Sequence, residues 1–509
     1  MKLSNTFFIK ATLLFIGLVV SCADSKTDEP NKEKIDNDIF VEVTEGRIAL
    51  DGGVSRGVAW GDYDADGDPD LYVANSSGQW NAIYRNNGDG TFKKMTEGGG
   101  DIGAISETVK HGGNSEGVNW VDYDNDGDLD LYVVSRGEEG NFLFENLDNS
   151  SFKRITDSPL TAEGISASMA CWADIEGDGD LDVVVVASGS GSNLAFKNLG
   201  NGKFEKLDGH ILSSGNGRGR ACACGDSNND GLPEFYIANA RTGNEYYANL
   251  GDWNFESVNE GHMVEDIGYS YGVSWADYDG DGDLDLFLAN FDKRNFLYQN
   301  DGQGVFTTLT KSILTTETGG ASKGHSWGDY DNDGDLDLFI ANGTYRPKMN
   351  NFLYLNQGKG DFVKDYSEII VKHADTSAGM AHADFDRDGD LDIFVANWGS
   401  SDQINRFYKN TTSGKHWMSL RLTGKDANKY GIGSRVTLFY DMHSQTRWMY
   451  PVTGYGSQDD YELHFGFGAV SKIDSLQLVW PNGQTDVHKS IEINKHYLAV
   501  EGGNLEVIN

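Results

Sequence analysis

Cations are scarce in this chain: 41 Lys and Arg face 79 Asp and Glu, a formal net charge of −38 at pH 7. That balance makes nucleic acid a poor partner, because phosphate contacts need clustered Lys and Arg. Proline is nearly absent, with 7 in 509 residues, while Gly is abundant at 64. This composition suits many short strands joined by tight turns. Only 4 Cys occur, too few for a disulfide scaffold. No HExxH, P-loop or dinucleotide glycine pattern appears, so those catalytic signatures are not available. Long apolar runs are also missing, except for ATLLFIGLVV near the start.

That run follows Lys2 and Lys10 and ends in Val19-Val20-Ser21-Cys22. It is too short to span a bilayer comfortably and reads as an export signal. Its end resembles the bacterial lipobox, cut before an acylated Cys22. Residues 1–22 are therefore expected to be a lipoprotein signal peptide, and the polar stretch 23–37 a disordered tether. The expected location is the bacterial cell envelope, as an outer-membrane lipoprotein. Cys171, Cys222 and Cys224 take apolar strand positions; a disulfide between neighbouring repeats and buried free thiols are both open readings.

What the chain has in quantity is one acidic loop, Asp-x-Asp-x-Asp-Gly-x-x-Asp, returning seven times at intervals of 51 to 60 residues. A fixed period of this size means one supersecondary unit per repeat. Clean copies are Asp62, Asp64, Asp66 and Asp70; Asp122, Asp124, Asp126 and Asp130; Asp277, Asp279, Asp281 and Asp285; Asp329, Asp331, Asp333 and Asp337; and Asp384, Asp386, Asp388 and Asp392. Two variants are Asp174, Glu176, Asp178 and Asp182, and Asp226, Asn228, Asp230 and Glu234. Four carboxylates in nine residues repel one another unless a hard cation joins them. Calcium takes 6–8 oxygens and tolerates the sharp glycine turn, whereas magnesium keeps its waters. Zinc is disfavoured because the loops hold neither Cys nor His. A helix-loop-helix calcium hand is excluded, since it needs Glu at its twelfth position and Val73 stands there. Up to seven Ca2+ ions are expected, with the site beginning at Asp226 the weakest.

Apolar runs such as GVAW and LYVAN flank each loop as short strands. An aromatic-Asn segment follows, then a strand opening on Phe: Phe92, Phe152, Phe204, Phe255, Phe306 and Phe362. The seventh repeat lacks this Phe, and IFVEVTE with Phe40 supplies one before the first loop. Four strands per repeat and seven repeats predict an all-β fold, a seven-bladed β-propeller over 38–410 closed by the N-terminal strand. These motifs resemble the FG-GAP (VCBS-type) repeats of integrin α-subunit propellers and many bacterial exported proteins. The resemblance implies calcium in the loops joining the first two strands of each blade; it does not carry a reaction.

Repeats stop near His416, and residues 411–509 alternate as short strands of a small C-terminal β domain. Gly431-Ile432-Gly433-Ser434-Arg435-Val436, Gly454-Tyr455-Gly456-Ser457-Gln458, Leu463-His464-Phe465-Gly466 and Trp480-Pro481-Asn482-Gly483 resemble the ASPIC/UnbV domain of the cartilage acidic protein family. Ser434 and Phe467 depart from that family's usual Ala and Leu. Arg435, Arg447 and His464 are either site residues or, more simply, residues bonding turns and neighbouring acids.

A ligand face is sought six residues before each first Asp. Arg56, Glu116, Ser168, Arg220, Tyr271, Lys323 and Ala378 stand there, at the mouth opposite the calcium loops. Sister repeats agree at Gly, Trp and Asp but differ at this position. Arg56, Arg220, Tyr271 and Lys323 are the candidate ligand residues, with Trp80, Tyr345 and Trp398 nearby; a plain solvated rim is the competing reading. His325 and His382 are expected to line the channel. The expected function is a binding or adhesion module for an extracellular or envelope protein or glycan. The rivals are a polysaccharide lyase or hydrolase working at the mouth, and a scaffold subunit of an outer-membrane nutrient-uptake assembly.

Overall fold

The structure is a computed structural model. It describes residues 39–95 and 113–508, apart from breaks at 138–139, 148, 150, 163, 165, 190, 216, 319, 345–346 and 401–402. The signal peptide, Cys22, the tether and Tyr345 lie outside the described residues. Among the described residues no helix is long and apolar enough to cross a membrane.

Seven sheets of four antiparallel strands follow one another along the chain. In the first, Ser55–Gly61 pairs with Asp70–Asn75 across the acidic loop, followed by Ala82–Asn86 and Phe92–Lys94. The second strands, DLYVAN and its sisters, are buried along their whole length. Neighbouring sheets cover both their faces, so these strands read as continuous apolar runs rather than alternating ones.

The seventh sheet is made from both ends of the propeller. Ser377–Ala383, Asp392–Asn397 and Arg406–Asn410 come from its end, and Phe40–Glu42 adds the fourth strand from its start. The register Phe40↔Asn410 repeats Phe92↔Asn86 of the first sheet. The inner strand of each sheet packs on that of the next, and Ser377–Ala383 packs back on Ser55–Gly61, so the ring closes.

The Asn of each aromatic-Asn segment has a single job, repeated seven times. Its amide Nδ2 donates to the backbone carbonyl of the second acidic-loop residue in the preceding blade. Asn146 reaches Tyr63, Asn198 reaches Tyr123, Asn249 reaches Ile175, Asn300 reaches Ser227, Asn356 reaches Tyr278 and Asn410 reaches Tyr330, all within 2.6–3.2 Å. Asn86 completes the circle on Phe385 at 2.7 Å. Two tryptophans do similar work, with Trp120 Nε1 donating to Ala59 O and Trp60 Nε1 to Ala381 O. Where the third and fourth blades meet, Cys171 and Cys222 form a disulfide; Cys224 is a buried thiol.

Two four-stranded sheets form the C-terminal domain. One orders Glu462–Gly468, His416–Thr423, His496–Val500 and Leu505–Ile508; the other orders His443–Trp448, Arg435–Tyr440, Ile473–Val479 and Thr485–Ile491. Between Trp448 and Glu462 the chain leaves this sandwich as a finger and enters the propeller channel. There Ser457–Gln458 adds to the first blade as a parallel strand, Ala59 opposite Gln458. The amides of Val118 and Val273 donate to Gly456 O and Gly454 O, each at 3.2 Å. Glycine is required on both sides of this approach. A Cβ on Gly57 would stand 2.0 Å from Gly456 O, and Gly454 itself has φ +50°.

Candidate functional site

Three regions concentrate polar chemistry: the acidic loops at one end of the channel, the mouth at the other, and the finger between them.

Each loop is organised by its first acid. Both oxygens of Asp329 accept backbone amides, from Asp333 at 2.9 Å and from Gly334 at 2.9 Å; Asp62, Asp122 and Asp384 repeat this. The ninth residue locks the loop to its own blade. Asp337 accepts from Asn356 N and Tyr330 N, as Asp392 does from Asn410 N and Phe385 N. The fourth residue of several loops reaches the next loop, which is not evident from the repeat itself. Asn125 bonds Asp180, Asn229 bonds Asp283, Asn332 bonds Asp390, and Arg387 bonds Gly67 O.

Carboxylate oxygens converge within 4.8 Å in five loops: Asp62, Asp64 and Asp66; Asp122, Asp124 and Asp130; Asp277, Asp279 and Asp285; Asp329, Asp331 and Asp333; Asp384, Asp386 and Asp392. These acidic clusters could hold metal ions. The donor set fits a hard cation, because Asp64 Oδ1, Asp70 Oδ2, Asp277 Oδ1, Asp285 Oδ2 and Asp386 Oδ1 are buried without a hydrogen-bond donor. Buried oxygens of this kind are costly unless paired. Burial, reinforced by neighbouring carboxylates, pushes the carboxyl of Asp277 to about 7 and those of Asp329 and Asp285 to about 8 and about 9.

The two variant loops differ. Lys197 holds Glu176 in the third. In the fourth, Asn228 Nδ2 donates to Glu234, which also accepts from Ser227 N and Oγ. A side-chain amide thus does part of what a cation does elsewhere.

The C-terminal domain sits on this acidic face. Arg421 donates to Asp62 Oδ2 and Gly67 O, Tyr430 to Gly127 O, and Arg435 to Asn229. Arg447 donates to Gly334 O, His464 pairs with Asn332 at 2.6 Å, and Gly466 N donates to Asp329. Arg435, Arg447 and His464 therefore bond propeller turns, the simpler of the two sequence readings.

A cavity of about 130 Å³ lies where the domain meets the channel, lined by Ser326, His382, Arg447, Asp459 and His464 among others. Ser326 Oγ stands 3.0 Å from His382 Nδ1 but donates to Asp459 at 2.6 Å. A nucleophilic triad would have the acid orient the His and not the serine; here Asp459 accepts from the serine hydroxyl and from the His382 backbone amide at 2.8 Å, and stands 3.5 Å from the same Nδ1 that faces the serine. His325 is buried against Ser274 at 2.7 Å, and burial pushes its pKa down to about 3. Both histidines line the channel and fasten the finger.

At the far end, Arg56, Arg220, Tyr271 and Lys323 meet around the fingertip. Tyr455 packs edge-on against Tyr271 at 5.2 Å and donates to Glu116. Arg136, which sequence reasoning missed, pairs with Glu116 at 3.2 Å, and Arg56 stands 3.9 Å from it. Burial works to raise the Glu116 carboxyl, yet Arg136, Arg56 and Tyr455 together hold it below its ordinary value. Lys323 is not on an exposed rim: it is 1% accessible, lying 3.6 Å from the Trp398 ring centre and 5.5 Å from that of Tyr271. Burial and Arg56 lower its pKa well below the usual value. Arg56 lies 4.5 Å over Trp398, and Arg220 5.7 Å over Tyr271. Trp80 is largely exposed.

Comparison with known proteins fits this architecture. The FG-GAP-like repeat family matches residues 62–133, 122–185, 174–237, 226–288, 277–340 and 329–395, and the ASPIC and UnbV family matches 424–506. Cartilage acidic protein 1 of Homo sapiens is 23% identical over 476 residues, covering 85% of this chain and 69% of that protein. Its Xenopus tropicalis counterpart is 25% identical over 321 residues, covering 55% of this chain and 48% of that protein. Among solved structures, BBS1N in complex with ARL6DN gives a TM-score of 0.47 at 12% identity, covering 74% of this chain and 99% of that one. The chain belongs to the FG-GAP-repeat propellers that carry a C-terminal ASPIC/UnbV domain.

Proposed function

We propose that this protein is an exported, lipid-anchored, calcium-braced binding module whose mouth takes an anionic group on an extracellular or envelope partner. One observation carries the reading. In a chain of net charge −38, Arg56 and Arg136 stand on a single acid, Glu116, with Arg220 and the buried amine of Lys323 close by against Tyr271. Such a local positive field favours an anion. Calcium enters at the other end, where the buried unpaired carboxylate oxygens of the loops would coordinate it and its charge would relieve their repulsion. The propeller is thereby held rigid, and the mouth residues, drawn from different blades, stay in register.

The test is a pull-down from the parent envelope with calcium-loaded protein, wild type against the Arg56→Ala, Arg220→Ala double variant. The expected result is a partner retained by wild type and lost by the variant, with calcium binding unchanged. Partner retention by the variant, with loss on mutating Arg435 or Arg447 instead, would move the function to the C-terminal domain. Cys22→Ser should release the protein to the soluble fraction, because acyl chains contribute roughly 0.8 kcal/mol per buried CH₂ to anchoring. A variant still membrane-bound after a salt wash would refute the lipid anchor.

A further inference from the structure

We propose that the mouth is a blind pit built by both domains, and that it takes the terminal, carboxylate-bearing sugar of an acidic polysaccharide. This rests on reading the mouth as the ligand face, and adds the class of ligand and the role of the finger.

The anion requirement comes from donors left open. Lys323 Nζ and Arg220 Nε are buried without an acceptor among the described residues. Glu116, the acid at hand, is already engaged by Arg136, Arg56 and Tyr455. A buried donor without an acceptor is destabilising, and a carboxylate is an acceptor that would satisfy such a donor with a short, charge-assisted bond.

The finger decides how far a ligand can enter. Tyr455 stands against Glu116 and Tyr271, and Gly454 and Gly456 lie behind it against Gly57, Gly117 and Gly272. The finger occupies this stretch of the channel, so a polymer would enter end-on.

The same finger disfavours a peptide. Extended peptides are held by main-chain bonds to an open sheet edge. Around the channel those edges are used: Val58 N donates to Ser457 Oγ, Val118 N to Gly456 O and Val273 N to Gly454 O. The mouth offers instead side-chain donors held against the rings of Trp398, Tyr269 and Tyr271, with Trp80 exposed alongside. That combination suits a sugar ring bearing a charge.

The test is calorimetric titration of the calcium-loaded full chain with three probes: an oligogalacturonate, its carboxyl-reduced neutral counterpart, and an oligoglutamate of equal charge. The oligogalacturonate should bind, and the reduced form at least about tenfold more weakly. Arg220→Gln and Lys323→Met should each lose at least about tenfold in affinity. Lys472→Gln, exposed on the C-terminal domain, should lose nothing. Lys323→Met should melt no lower than wild type, since it removes a buried amine that has no hydrogen-bond acceptor among the described residues; this separates lost binding from lost folding. Equal binding of the reduced oligomer would overturn the carboxylate requirement. Binding of oligoglutamate without oligogalacturonate, or of no probe, would overturn the sugar class; the mouth reading would still stand if the envelope partner is lost with Arg56 and Arg220. Unchanged oligogalacturonate binding in both mouth variants would overturn this proposal and that reading together.

Discussion

Asn86 in the first blade donates its amide to the carbonyl of Phe385 in the seventh, 299 residues away, at 2.7 Å. The same bond links every neighbouring pair of blades, so in this bond the closure of the ring matches each of its other joints. Asn86→Ala should therefore cost about 1–3 kcal/mol, the penalty for leaving a buried carbonyl unpaired. Asn300→Ala should cost the same within error. Denaturant unfolding of both variants checks this; a closing joint much weaker than an internal one would contradict the equivalence.

Phe40–Glu42 gives the seventh blade its fourth strand, and Glu42 adds an ion pair to Arg406 at 2.7 Å. Deleting residues 38–46 should lower the melting temperature sharply, because it removes a buried Phe and bares a sheet edge. Deleting 23–37 leaves these contacts in place and should not. Equal melting of the two truncations would refute closure by the N-terminal strand.

Excess chelator should lower the melting temperature, and added calcium should restore it by mass action on the native state. Isothermal titration should show the Asp226 loop as the weakest site, since Asn228 Nδ2 and Ser227 already bond Glu234. Asp226→Ala should remove less calcium affinity than Asp329→Ala. An unchanged melting temperature in chelator would sink the calcium assignment.

The metal-free protein should lose stability as pH rises. Burial first, then neighbouring carboxylates, raises Asp277 to about 7 and Asp329 to about 8 in the folded state, against about 3.9 unfolded. Groups raised in this way bind protons more tightly when folded. Their contribution is present below about pH 4 and is lost as pH climbs through about 8. Glu462 acts with opposite sign, being held low by Arg421 and His496 despite its burial, but its window lies below pH 4.5. Thermal melts in chelator at pH 5.5 and pH 8 should differ in that direction, and saturating calcium should shrink the difference. A metal-free protein more stable at pH 8 would contradict it.

Gly57→Ala should eject the finger, because the added Cβ would stand 2.0 Å from Gly456 O and 2.7 Å from Glu116 O. Limited proteolysis should then cut within 449–461 while the propeller stays intact. A finger as protected as in wild type would show that the channel can widen.

The repeat was legible in the sequence because every blade solves one problem with one set of residues. Glycine turns, acid spacing and the Phe-strand count are local, so they survive as a written period, and the missing seventh Phe pointed to Phe40. The acidic loops were legible for the same reason. What could not be read was any contact joining positions without a common period. Tyr455 on Glu116 spans 339 residues, and the glycines at 57, 117 and 272 resemble ordinary strand residues until the finger lies against them. Arg136 follows the second strand of its blade, outside the aligned position that marked Arg56 and Arg220, so spacing passed over it. Arg435, Arg447 and His464 could be named, but only docking showed them bonding propeller turns. Local chemistry determined the blade, the loop and the ring. The tertiary structure alone decided that the channel is plugged, that Lys323 is buried, and that one domain supplies the floor of the other's mouth.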